Sequence, residues 1–115
     1  MEIKRGDIWW ADLPEPRASD PGFRRPVLVV QDDDFNESLI GTIVIAAITT
    51  NLGLAKAPGN VSIGSRQSGL PKDSVINVSQ LLTLDRRFLI EFVGALPERK
   101  MARVDEGLRL VLSLR

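Results

Sequence analysis

The chain contains no cysteine and no histidine. Disulfides are therefore excluded. Thiolate nucleophiles, Ser-His-Asp triads and zinc sites built from Cys and His are excluded with them. Acid–base chemistry has to come from Asp, Glu, Lys, Arg, Ser or Thr, or from a metal held by carboxylates. Tyrosine is also absent and aromatics make up only 5%. That counts against a peptide-binding module with an aromatic groove. Net charge is missing too: Lys plus Arg and Asp plus Glu both number 15. A uniformly basic coat for nucleic acid is excluded. No apolar run is long enough to cross a membrane. The longest candidate, residues 40–48, is strand-sized and contains Gly41 and Thr42. The first residues, Met1-Glu2-Ile3-Lys4-Arg5-Gly6-Asp7, show no apolar signal-peptide segment. The expected location is cytoplasmic, with no membrane partner.

What is present suits one compact domain spanning residues 1–115. Hydrophobic residues make up 43% and charged residues 26%, enough for a real core. The charges are unevenly placed. Between Phe35 and Leu84 the basic residues are Lys56, Arg66 and Lys72, against only Glu37 and Asp73. A local basic patch therefore remains open.

Pro and Gly divide the chain into short elements. Residues 14–22 (Pro-Glu-Pro-Arg-Ala-Ser-Asp-Pro-Gly) suit neither a strand interior nor a helix. Ala57-Pro58-Gly59-Asn60 closes a second loop, and residues 64–72 form a third around Gly69 and Pro71. Strands are expected at residues 7–13, 26–31, 42–49, 61–63, 74–82 and 87–96. The fifth alternates through Val75, Asn77, Ser79 and Leu81. The period then changes. Met101, Val104, Leu108 and Val111 recur at helical spacing, with Leu112 widening the stripe. One amphipathic helix is expected over about residues 98–114, started by Pro97. Gly107 suits a close contact, while Leu110 and Leu114 either extend the core face or mark a subunit contact. The pattern predicts a mainly β fold, a small antiparallel barrel or curled sheet with a C-terminal helix.

Several segments resemble the MazF/PemK family of toxins from toxin–antitoxin pairs. Lys4-Arg5-Gly6-Asp7-Ile8-Trp9-Trp10-Ala11-Asp12-Leu13 is similar to the family's first strand. Arg24-Arg25-Pro26-Val27-Leu28-Val29-Val30-Gln31 resembles its Arg-Pro-Val-Leu-Val strand, and Ala46-Ala47-Ile48-Thr49-Thr50 its third strand. Lys72-Asp73-Ser74-Val75-Ile76, Gln80-Leu81, Thr83-Leu84-Asp85 and Val93-Gly94-Ala95-Leu96 follow in order, then the helix containing Val104-Asp105-Glu106-Gly107-Leu108. The resemblance implies an SH3-like barrel working as a homodimer. It implies sequence-specific, metal-independent and cofactor-free cleavage of single-stranded RNA, leaving a 2′,3′-cyclic phosphate and a 5′-hydroxyl. It implies neutralisation by a cognate MazE-like antitoxin. A related family with the same barrel poisons DNA gyrase instead. A relative that kept only antitoxin binding is a further alternative.

RNA cleaves itself when the 2′-hydroxyl attacks the adjacent phosphate. A catalyst must remove that proton, stabilise the crowded phosphate and protonate the leaving oxygen. Without histidine, the resemblance points to Arg25, Thr49 and Asp73. The Arg25 guanidinium suits phosphate oxygens and is effectively always charged, so stabilising charge is its easier role. Taken alone, it reads as a strand-end arginine in an ion pair. The Thr49 hydroxyl can hold a phosphate oxygen or orient the 2′-hydroxyl. Asp73 can accept the 2′-hydroxyl proton, or simply cap a turn. Here the chain departs from family members that carry Arg two residues earlier, since it has Pro71; Lys72 supplies the nearby charge. Arg17, Phe23 and Arg24 in and beside the first loop are candidates for phosphate contact and base stacking, with Phe23 equally suited to anchoring the loop. Lys56, Gln67, Ser68 and Lys72 lie in loops suited to RNA contact.

Two motifs are decoys. Arg5-Gly6-Asp7 spells a cell-adhesion tripeptide but reads as a turn before the first strand. Asp32-Asp33-Asp34 suggests a Mg²⁺ site. Consecutive side chains point different ways, however, and a solvated loop is the expectation.

Overall fold

Short apolar runs separated by Pro and Gly bury themselves only by pairing with one another. The computed structural model describes residues 2–13 and 23–115. Among these, six strands form one antiparallel sheet: β1 (Asp7–Leu13), β2 (Phe23–Val29), β3 (Thr42–Thr49), β4 (Val61–Ile63), β5 (Ser74–Asp85) and β6 (Leu89–Ala95). Their spatial order is β4-β5-β3-β2-β1-β6. Two single-turn helices, α1 (Asp33–Asn36) and α2 (Ser65–Ser68), and short 3-10 turns at Leu52–Lys56 and Arg86–Phe88 punctuate the loops. α3 (Glu98–Leu112) closes the chain. The expected barrel is present as a curled half-barrel with β4 and β6 at its edges.

Alternation divides the buried side chains between two faces. On one face Ile8, Leu28, Ala46, Ile48, Ile76 and Val78 pack with Val104, while Met101 and Leu108 bring α3 down onto them. On the other, Trp9, Ala11, Val27, Val29, Ile43, Ile45 and Leu84 meet within the curl. The helix seats closely because Gly107 lies on the backbone of Gly59; a β-carbon on Gly107 would overlap the Gly59 carbonyl. Only the first part of the predicted stripe is core. Val111 and Leu112 are exposed, as are Leu110 and Leu114, so none of these four extends the core face. The helix ends at Ser113 in the left-handed region, φ 58°.

β5 differs from its expected alternation. Ile45 pairs with Leu82, but Ala47 pairs with Asn77. Three residues, Val78, Ser79 and Gln80, are therefore extra on β5. An odd-numbered insertion reverses the faces of a strand. Val75 and Asn77 share one face, whereas Leu81, opposite Ala46, packs on the other with α3. Asn60 holds the bulge from outside, its Oδ1 accepting from the Val78 N–H at 3.0 Å and its Nδ2 donating to the Leu54 carbonyl at 2.9 Å.

Both decoys resolve into structure. Gly6 takes a positive φ of 94° in the turn before β1. Arg5 donates to the Val30 carbonyl and to Asp105, each at 2.8 Å, tying α3 to the sheet. The aspartate run is not a free loop but the start of α1. Asp32 caps it by accepting from the Asp34 N–H at 2.9 Å. Asp33 accepts from the Arg5 N–H at 2.7 Å and from Asn36 at 3.0 Å, and these bonds hold its carboxyl below the usual carboxylate range.

Candidate active site

The sheet register decides which polar residues meet. Val27 pairs with Ala47. That ladder ends there, and two residues beyond it Arg25 on β2 and Thr49 on β3 alternate onto the same face as Val27 and Ala47. Arg25 pairs with Ala11 on β1, and Thr49 with Val75 on β5. Val75 in turn pairs with Ser62. Ser62, Val75 and Thr49 thus form one row and Arg25 and Ala11 another, both on the face that α3 does not cover.

Arg25 is half-buried, and its Nε is fully buried with no hydrogen-bond partner among the described residues. No carboxylate among those residues pairs with it, unlike Arg5, Arg24 and Arg87. An unsatisfied buried donor costs about 1–3 kcal/mol, more for a charged group. Such a group is kept where an anion completes it. The Thr49 hydroxyl accepts from the Asn51 N–H at 3.1 Å. Its own proton is left to donate to an incoming oxygen.

Asp73 lies one residue before β5 and is exposed. Its Oδ1 accepts from the Ser65 N–H at 2.9 Å, anchoring the start of α2. The turn-capping role is therefore real, and the second carboxylate oxygen still leaves Asp73 able to take a proton. Phe23 alternates onto the face of Arg25. It is 65% exposed and holds a positive φ of 59°. A bulky residue held there is strained, as functional positions often are. An exposed aromatic ring of this kind offers a surface on which a base can stack.

The remaining candidates separate. Arg24 alternates to the opposite face, where its guanidinium sits 5.3 Å from the Trp10 ring centroid and 3.2 Å from Glu91. It does not join Arg25. Lys56 and Lys72 are exposed on the loops flanking β4, with no ion pair among the described residues. Gln67 is exposed and uses its Oε1 to accept from the Gly64 N–H at 3.2 Å. Ser68 is withdrawn from the RNA-facing set. It is buried, and its hydroxyl accepts from the Leu70 N–H at 3.0 Å to close the turn after α2. Arg17 lies outside the described residues. Among the described residues no cluster of three or more acidic side chains gathers where a cation could be held.

Sequence reasoning passed over Asn77. It is buried on the site's face, opposite Ala47. Its signal was an amide inside an otherwise apolar strand start, Ser74-Val75-Ile76-Asn77-Val78.

Comparison with known proteins agrees with this architecture. Residues 4–112 match the family described as PemK-like, MazF-like toxin of type II toxin-antitoxin system. The chain is 47% identical over 114 residues to endoribonuclease MazF2 of Mycobacterium bovis, covering 99% of this chain and 100% of that protein. Its fold superposes on MazF from Deinococcus radiodurans with a TM-score of 0.81, at 22% identity and 99% coverage of each chain. It also superposes on a mycobacterial endoribonuclease solved in complex with its cognate antitoxin, with a TM-score of 0.76, 22% identity, and 99% and 96% coverage. The chain belongs to the PemK-like, MazF-like toxin family.

Proposed function

We propose that this protein is a sequence-specific endoribonuclease toxin that cuts single-stranded RNA without a metal or other cofactor. The observation that carries this is Arg25, a cation whose buried Nε has no partner among the described residues, on the same sheet face as the Thr49 hydroxyl. The endoribonuclease name of the Mycobacterium bovis relative supports the same reading. In the proposed reaction Asp73 accepts the 2′-hydroxyl proton and the new oxyanion attacks the adjacent phosphorus. Arg25 and Thr49 hold the non-bridging oxygens as charge builds on them. The P–O5′ bond breaks, leaving a 2′,3′-cyclic phosphate and a 5′-hydroxyl once the leaving oxygen takes a proton from solvent. Phe23, Lys56 and Lys72 flank this centre as RNA contacts.

Two further parts belong to the proposal. The protein works in the cytoplasm as a homodimer. An apolar groove of about 500 Å³, lined by Val30, Phe35, Ile40, Val44, Leu81 and Leu112, offers a surface for the second copy. A MazE-like antitoxin neutralises it, a reading supported by the mycobacterial endoribonuclease solved in complex with its cognate antitoxin.

The test is incubation of purified protein with a long mixed-sequence RNA in excess EDTA, with cut sites mapped by primer extension and end groups identified. Discrete cuts at one short recurring word, with cyclic-phosphate ends, are expected. A strict Mg²⁺ requirement would overturn the metal-free chemistry. Intact RNA would move the reading to a non-nuclease toxin on this fold, such as a gyrase poison, or to an inactive antitoxin binder.

A further inference from the structure

Aromatic rings are large apolar surfaces that a protein buries where it can. This chain has few of them, four phenylalanines and two tryptophans. Two of the four phenylalanines, Phe23 and Phe92, are nevertheless 65% and 52% exposed. Phe92 pairs with Trp9 across β6 and β1, and Trp9 pairs with Val27 on β2. Its ring therefore shares the face of Val27 and, two residues along β2, of Arg25. Two strand spacings across and two residues along set the Phe92 and Arg25 backbones roughly 12 Å apart.

The Phe92 ring is held from beneath. Its centroid lies 5.6 Å from that of Trp9, edge to face at 69°. Trp9 is buried, and its indole N–H donates to Asp7 at 3.4 Å. A ring already fixed in place loses little freedom when a second ring stacks on it.

An exposed apolar edge could instead take up a protein strand. β6 is built against that. Ile8 pairs with Gly94 and Trp9 with Phe92, which leaves Val93 extra. Trp10 pairs with Glu91 and Ala11 with Leu89, which leaves Ile90 extra. A bulge on each side of Glu91 and Phe92 breaks the regular row of backbone groups that an added strand needs. The neighbouring carboxylate, Glu91, turns to the other face, where Arg24 sits 3.2 Å from it. On the site's face the Phe92 ring and the Arg25 cation together offer what a single-stranded nucleic acid takes: a flat apolar surface for a base and a charge for its backbone.

Resting on the nuclease reading above, we infer that Phe92 is a base-stacking site at the β6 edge, holding an unpaired base of the RNA a short way along the chain from the phosphate at Arg25. It does not touch the reacting atoms. Its contribution is to hold the substrate.

The test is binding of an uncleavable RNA. It carries the mapped word, a 2′-deoxy nucleotide at the cut site, and one abasic nucleotide walked through the flanking positions. Phe92→Leu keeps an apolar cover on Trp9 and removes the ring, whereas Phe92→Trp keeps a ring. In the wild type, an abasic nucleotide at one position away from the cut site is expected to weaken binding by about tenfold, within the range for one base stacked on an aromatic side chain. Phe92→Leu is expected to weaken binding of the intact RNA by a similar factor and to lose sensitivity at that one position alone. Phe92→Trp is expected to keep both the affinity and the sensitivity. Wild-type affinity for intact RNA in Phe92→Leu would overturn the inference. So would a Phe92→Leu variant that binds more weakly yet stays sensitive at every position where the wild type is, since a ring that merely covers Trp9 would behave that way. A changed oligomeric state in sedimentation with RNA binding intact would make the ring a subunit contact, which also overturns it. A wild-type protein that cuts no discrete word would instead sink the nuclease reading, and this inference with it.

Discussion

The two faces of the sheet are built from similar strands yet treat polar groups differently. Under α3, every local demand is met. Arg5 pairs with Asp105 at 2.8 Å, with the two side chains only 28% and 35% exposed, and Gly107 accommodates the backbone of Gly59. On the other face Arg25 keeps a buried nitrogen without a partner among the described residues, and Phe23 holds a left-handed backbone. These departures sit together at the start of β2. A protein tolerates local violations where a ligand completes them. The contrast teaches that both faces carry core, and that one end of the second is arranged around something absent from the folded chain alone.

Substitutions sharpen the contrast. The largest expected effect on the covered face is from Gly107→Ala. Its β-carbon meets backbone that cannot swing aside, so unfolding in denaturant should show a loss of about 1–3 kcal/mol or more. An unchanged midpoint would mean that α3 is not seated on Gly59. On the open face, Thr49→Val keeps the shape and removes the hydroxyl. Cleavage should fall by roughly 100-fold, the low end for loss of one hydrogen-bond donor to a developing oxyanion, while the melting temperature stays nearly constant. A variant that melts early but cuts normally when folded would reverse the assignment of faces.

The smallest effect is electrostatic and lies away from the site. The Asp33 carboxyl is held below its ordinary value by the Arg5 N–H and then by the Asn36 amide. A depressed carboxylate stabilises the fold above its ordinary titration range and loses that contribution as pH falls through its folded value. Stability of the wild-type chain should therefore drop below about pH 4, with a shallower slope in Asp33→Asn. Equal slopes in an acid titration would remove Asp33 from the account.

Much of the fold was legible because its signals are local. Pro and Gly clusters marked the loops, and the period change at Met101 marked α3. Arg25 and Thr49 were legible through a resemblance, and their meeting depends on the β2–β3 register, which sequence does not supply. The β5 bulge was not legible. Asn77 and Ser79 alternate smoothly on paper, and only the partner strand shows that three residues are extra. Arg24 went astray for a related reason: adjacent strand residues point to opposite faces, so it and Arg25 could not both serve one site. Ser68 looked like a loop serine, but the turn after α2 consumes its hydroxyl.

The central claim is that Arg25 is held unsatisfied in order to meet a phosphate. Cleavage by Arg25→Ala, measured beside the wild-type protein on the same RNA in EDTA with melting temperatures for both, tests it most directly. The account predicts a loss of about 100-fold or more, the low end for a positioned catalytic group. It also predicts a melting temperature no lower than that of the wild type, since the substitution removes an unpaired buried donor. A variant that melts like the wild type and still cleaves within a few-fold of it would contradict the claim.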